Sequence, residues 1–281
     1  MLSLEKKKEL EGLALKIRIE TIRTIGTLGF GHMGGAMSVV DTLAVLYGDV
    51  MNIDPKNPSW EERDWLVCSK GHAGPAVYST LALKGYFPKE DLLTLNKPAT
   101  HLPSHCDRNL TTGIDMTTGS LGQGASTALG VTIGNRLKGR SNYIYLILGD
   151  GEIQEGQVWE MVMCAAQQKA DHLIAFVDYN KQQLDGFTKD INDLGDIVAK
   201  FQSFGWFSQE VCGHDVEEIY NAVIKAKENK GKPSVIVLNT IKSKGYCFGE
   251  GIVSNHHITV SEEQMKEAIR LLEDKLKEVE K

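Results

Sequence analysis

The segment Tyr143-Ile-Tyr-Leu-Ile-Leu148 runs directly into Gly149-Asp150-Gly151-Glu152, and a second apolar segment, Leu173 to Asp178, runs into Tyr179-Asn180-Lys181-Gln182. Both are short, β-rich and closed by turn residues, the pattern of strands buried on two faces of a parallel sheet. Asp150 and Asn180 stand 30 residues apart, which suits one β-α-β crossover. Such a crossover sets the carboxyl ends of two strands side by side, so that a carboxylate and an amide oxygen can meet at one edge. Hard oxygen donors of this kind, completed by phosphate oxygens, suit the octahedron of Mg2+. Gly-Asp-Gly alone is more often a plain tight turn, and Asn180 a turn residue. The strand on each side is what favours a site for a diphosphate and its metal.

Working outward, Trp65 to Ser69 and Ser234 to Leu238 have the same strand character. Ser120 to Leu137, Glu155 to Lys169, Asp215 to Lys227 and Ser261 to Glu278 have helical length and periodicity, and Asp215 with Glu218 makes a D-x-x-E helix start. The alternation predicts an α/β fold, a mostly parallel sheet flanked by helices. With no internal repeat and no Pro/Ser linker, residues 1–281 are expected to form one domain. Glycines cluster where strands should end, at Gly29, Gly31, Gly34 and Gly35, at Gly119, Gly122 and Gly124, and at Gly149 and Gly151. Ligands of open α/β sheets sit at those ends, and glycine lets backbone amides approach an anion.

Lys and Arg total 31 against 37 Asp and Glu, a formal net charge of −6 with no basic face for nucleic acid or anionic lipid. A mean hydropathy of −0.21 and apolar runs far below the ~20 residues of a bilayer span argue against a membrane protein. The first twenty residues place Leu10, Leu13, Ala14 and Ile17 at helical spacing among charges, an amphipathic helix rather than a signal peptide. Five cysteines with no CxxC pair suggest neither a disulfide framework nor a zinc site, and fit a reducing cytoplasm.

Three of eight histidines follow Gly or Ser in loop-like contexts: Gly31-His32-Met-Gly-Gly, Lys70-Gly-His72-Ala-Gly-Pro and Ser104-His105-Cys-Asp. Any one alone reads as structural or solvated. Together with Thr118-Gly-Ser-Leu-Gly-Gln-Gly124, Gly149-Asp-Gly-Glu…Glu155-Gly-Gln-Val-Trp-Glu160 and Phe204-Gly-Trp…Gly213-His-Asp215, in this order, they resemble the transketolases. The likeness is to the N-terminal half of split transketolases, within the wider set of thiamine diphosphate enzymes.

That resemblance implies thiamine diphosphate, with Mg2+ (or Ca2+ or Mn2+) held by Asp150, Asn180 and the backbone carbonyl of Gln182. It implies cofactor contacts at His72, Gly119, Leu121, Gly151 and His256, and catalytic roles for His32, His72, His105 and His256 around the thiazolium and the sugar oxygens. His257 is the alternative to His256, and Asn255 stands where the family usually has tryptophan. Glu155 matches a carboxylate at the family's subunit interface that helps relay protons, and also reads as a first-turn glutamate. His101, His172 and His214 carry no such motif, His214 belonging to a Gly-His-Asp helix start.

The family's pyrimidine-binding motifs, its activating glutamate and its sugar-phosphate arginines have no counterpart in these residues. The resemblance therefore implies a C-terminal partner subunit with the pyrimidine-binding domain, a homodimer alone, a heterotetramer with the partner, and two-carbon transfer between sugar phosphates. Rival expectations are a deoxyxylulose phosphate synthase-like chain, a chain like the alpha component of 2-oxo acid dehydrogenases, and a non-catalytic cofactor-binding paralogue.

Overall fold

The computed structural model describes residues 2–281. In chain order the elements are α1 (Leu4–Leu28), β1 (Phe30–Gly31), α2 (Met33–Met37), α3 (Val40–Val45), β2 (Trp65–Cys68), α4 (Gly74–Lys84), α5 (Gln123–Leu137) and β3 (Ile144–Gly149). They continue with α6 (Gly156–Gln167), β4 (Leu173–Tyr179), α7 (Thr188–Ile191), α8 (Ile197–Ser203), β5 (Phe207–Cys212), α9 (Val216–Glu228), β6 (Ser234–Asn239), β7 (Ile258–Thr259) and α10 (Glu262–Val279).

Five strands form one sheet in the order β2-β3-β4-β6-β5, every pairing parallel, while β1 and β7 make a separate antiparallel pair. Successive side chains on a strand point to opposite faces, and the cores divide accordingly. Tyr145, Ile147, Ile174 and Phe176 join the larger cluster with α1, α3, α4 and α9. Ile144, Leu146, Leu148, Ala175 and Val177 join the other with α5, α6 and α8. No helix among the described residues is long and apolar enough to cross a membrane.

The four anticipated strands form within a residue or so at each end. Three details differ from the sequence expectation. The helix expected from Ser120 begins at Gln123, because Gly119 (φ +145°) and Gly122 (φ +82°) hold the chain outside helical space. Gly29 ends α1 as a left-handed cap rather than ending a strand, its amide donating to the Ile25 carbonyl. Asp215 caps α9 by accepting from the Glu217 and Glu218 amides (2.8 and 3.1 Å), whereas the Glu218 carboxylate turns to the Cys212 amide (2.8 Å). The edge strand β5 and helix α4 had no anticipated counterpart.

Candidate functional site

The carboxyl ends of β2, β3, β4 and β6 open on one edge of the sheet, and four chain segments bring histidines to it. His32 follows β1 and opens α2, and His72 lies in the turn after β2. Gly35 makes their approach possible, since a Cβ there would stand 2.8 Å from His72 Nε2. His105 sits on a loop fixed by the Tyr78 hydroxyl, which donates to the carbonyls of Pro103 and His105, both at 2.9 Å. His256 is brought in by buried Asn255, whose side-chain amide donates to the Gly249 carbonyl (2.8 Å) and whose backbone carbonyl accepts from the Gly34 amide (3.1 Å).

The ring centroid of His32 lies 5.7, 5.4 and 5.4 Å from those of His72, His105 and His256. These four histidines line a cavity of about 400 Å3 together with Gly119, Leu121, Asp150, Gly151, Glu155, Asn180 and Gln182. All the residues expected at a site from the sequence therefore meet at one place. Exposed His257 lies outside that lining, 4.8 Å from the His32 ring and 5.6 Å from Phe30. Burial, reinforced by neighbouring imidazoles and, at His256, by Lys242, pushes His32 and His256 down to about 4. His72 and His105 are lowered too, each chiefly by burial.

Beneath the histidines lies a polar floor. Asp178, the penultimate residue of β4, is fully buried and accepts four bonds: from Lys70 Nζ (2.5 Å), Ser38 Oγ (2.7 Å), Asn180 Nδ2 (2.9 Å) and Thr240 Oγ1 (2.5 Å). Burial alone would raise its pKa, but the Lys70 charge and these bonds hold it below the usual carboxylate range. Because the Asn180 nitrogen is committed to Asp178, the Asn180 Oδ1 is the free end of the amide, accepting only from the Gln182 amide at 3.2 Å. Asp150, 2% exposed, accepts from the Gly151 and Lys181 amides (2.8 and 2.7 Å) and from Thr188 Oγ1 (3.1 Å). Burial and the Asp178 charge push it up to about 6, and among the described residues no cation lies within ion-pair distance of it.

Glu152, 2% exposed, ties three loops together. It accepts from Ser69 Oγ, from the Gly122 amide (2.9 Å) and from the Gly149 amide (3.0 Å). Lys242 reaches in from beyond β6 to the carbonyls of Gln182 and Gln183 (3.4 and 3.2 Å), and burial brings it down to about 8. Its segment is anchored by His214, whose Nδ1 meets Asp41 (2.8 Å) while its Nε2 accepts from the Ile241 amide (2.8 Å). His101 pairs with Asp91 at 3.3 Å and His172 stacks on Tyr143, both remote from the cavity.

The oxygen set fits a hard cation: one buried carboxylate without a cationic partner, one amide oxygen held outward by Asp178, and the Gln182 region, whose Oε1 is buried without a partner. Lys70 and Lys242 near the same floor complement a diphosphate.

Residues 11–274 match the family described as the thiamine diphosphate binding domain of transketolase. The chain belongs to the transketolase family. A 6-deoxy-6-sulfo-D-fructose transketolase subunit, SqwG, of Clostridium sp. (strain MSTE9) is 53% identical over 96% of this chain and 98% of its own length. One of the apulose-4-phosphate transketolase subunits, from Actinobacillus succinogenes, is 37% identical, with 96% of both chains covered. The transketolase of Campylobacter jejuni superposes with a TM-score of 0.89 at 31% identity, covering 94% of this chain and 42% of that one. The chain thus spans less than half the length of that solved transketolase, and all of the cavity residues lie inside the family match.

Within this transketolase domain, sequence reasoning passed over Lys70, Glu152, Asp178 and Lys242. Lys70 and Glu152 stand in the sequence as mere neighbours of motif residues. The available signal was their position at strand ends, where a charge has no solvent to face.

Proposed function

We propose that residues 1–281 form the diphosphate-binding domain of a two-chain transketolase, binding thiamine diphosphate through a divalent cation, Mg2+ or in its place Ca2+ or Mn2+, and moving a two-carbon ketol unit between sugars. The observation that carries this reading is the convergence of His32, His72, His105 and His256, from four separate segments, above Asp150 and Asn180 at adjacent strand ends. Relatives of nearly the same length named as transketolase subunits support the two-chain arrangement.

In this reading Asp150, Asn180 Oδ1 and the Gln182 carbonyl hold the metal, and Lys70, Lys242 and His256 face the diphosphate. Gly119, Leu121 and Gly151 bring backbone to the cofactor, which supplies the electron sink for breaking and making a C–C bond. Imidazoles kept neutral by burial each present one N–H and one bare nitrogen. At pH 7 they can therefore take a proton from a sugar hydroxyl or return it without carrying a resident charge. Glu155, exposed at the cavity mouth ahead of α6, is the carboxylate placed to relay protons to a neighbouring subunit.

The partner contributes the pyrimidine-binding domain and the grip on the donor's distal anionic group, a phosphate or the sulfonate that SqwG's name implies for that protein. A homodimer alone, a heterotetramer with the partner and a cytoplasmic site of action complete the proposal. Mixing this chain with a C-terminal transketolase partner, cofactor and Mg2+ is expected to produce ketol transfer that neither chain performs alone. Comparable turnover by the isolated chain would refute the split site.

A further inference from the structure

Another cavity, about 450 Å3, lies at the opposite edge of the sheet, where β2 and β3 begin, and shares no lining residue with the site above. Its lining carries four cations, Arg63, Arg108, Lys138 and Arg140, against two carboxylates, Glu61 and Asp115. Two pairs account for both acids: Arg63 Nη2 meets Asp115 at 2.5 Å, and Arg140 meets Glu61. Arg108 and Lys138 have no carboxylate within ion-pair distance among the described residues, in a chain whose net charge is −6.

The cations are also arranged. Arg63 is fixed by Asp115 and by the Trp60 carbonyl (2.8 Å), with its guanidinium 4.8 Å from the Trp65 ring centroid. Arg108 stands over the same indole at 5.9 Å. Asp115 is the single carboxylate beside these two guanidiniums and is committed to Arg63, which leaves the Arg108 charge only partly offset. The Trp65 Nε1–H is buried and has no acceptor. Among the described residues, the two unpaired charges of this cavity are cations, and the orphaned indole nitrogen in its lining is a donor. The volume exceeds what inorganic phosphate needs and matches a small organic molecule.

We propose that this cavity is a second ligand site, for a small organic phosphate, held by Arg108 and Lys138 beside the Arg63–Trp65 stack. It has a route to the first site through one segment. The chain between His105 and Gly119 is a hairpin-like excursion closed at its base, where the Thr118 amide donates to the Cys106 carbonyl at 3.0 Å. Arg108 through Asp115 of that excursion line the cavity. The two ends of that segment present His105 and Gly119 to the histidine-lined cavity.

The test is calorimetric titration of the full chain with glycerol 3-phosphate, which has no carbonyl to react, and with inorganic phosphate. Wild type is expected to bind the ester saturably and inorganic phosphate more weakly. Arg108→Ala/Lys138→Ala, both exposed, is expected to weaken the ester at least tenfold, and Lys242→Ala to leave it unchanged. The proposal is overturned by absence of saturable binding to wild type, by unchanged affinity in the double variant, or by a loss in Lys242→Ala as large as that in the double variant. That last result would put the anion in the histidine-lined cavity.

Discussion

Asp150 and Asp178 stand at the ends of neighbouring parallel strands, both buried and in adjacent registers, yet their ionisation is shifted in opposite directions. Asp178 has Lys70 at 2.5 Å and three further donors, and lies below the ordinary carboxylate range. Asp150 has three donors and no cation, and is pushed up to about 6. At Asp150 the hydrogen bonds do not offset burial, whereas at Asp178 the Lys70 charge together with the hydrogen bonds does. Asp178 is thus an internal anchor already satisfied by the chain, whereas the burial of Asp150 is left uncompensated by any charge of the described residues, the deficit that the proposed metal would relieve.

The largest expected effect breaks the satisfied half. Asp178→Ala leaves the Lys70 ammonium, 1% exposed, without its counter-ion, and should cost about 3–5 kcal/mol in urea unfolding of the cofactor-free chain. Asp150→Ala should cost less in that assay, since it strands no buried charge. The ranking reverses for ligand binding: Asp150→Ala and Asn180→Ala should abolish Mg2+-dependent binding of thiamine diphosphate in calorimetry with the partner present. Unchanged affinity in both variants would remove the metal assignment.

His105→Ala tests the layer above the carboxylates. Ketol transfer by the reconstituted enzyme should fall ~10²-fold or more, with cofactor affinity nearly intact. An equal fall in affinity would move His105 into the cofactor's own contacts.

The histidines also set a pH dependence. Folded His32 and His256 take up protons only near pH 4, whereas in the unfolded chain they do so near 6.5. The unfolded state therefore binds more protons between those values, so stability falls as pH drops from 6.5 towards 4 and is flat in this respect above 6.5. His32→Gln/His256→Gln should shallow that slope in thermal scans.

The smallest effects sharpen the comparison by removing one hydroxyl from each carboxylate. Thr188→Val at Asp150 and Thr240→Val at Asp178 should each cost about 1 kcal/mol, because the remaining donors stay in place.

Sequence reasoning reached Asp150 and not its counterpart because the two carry different local marks. Asp150 sits between glycines at an abrupt strand end, whereas Asp178 closes an apolar run and reads as its polar terminus. Lys70 was invisible for a related reason: a lysine is read as solvated unless its partner is known, and that partner lies 108 residues away. The central strands were legible because each is apolar on both faces. Edge strand β5 was missed because Phe207–Cys212 is half-exposed along its length and lacks such a run. Helix α4 was missed because its apolar residues do not form a stripe: Gly74 through Ala82 are buried all round.

Glu152 has a kinetic corollary. One carboxylate holds the backbone amides of Gly122 and Gly149 and the Ser69 hydroxyl, three loops that meet at the ends of the paired strands β2 and β3 and the start of α5. Opening any of them leaves a buried charge underbonded, so they should open as one unit. The Gly122 and Gly149 amides should then exchange with deuterium at matching rates, slower than the solvent-facing loops, and Glu152→Gln should release both together.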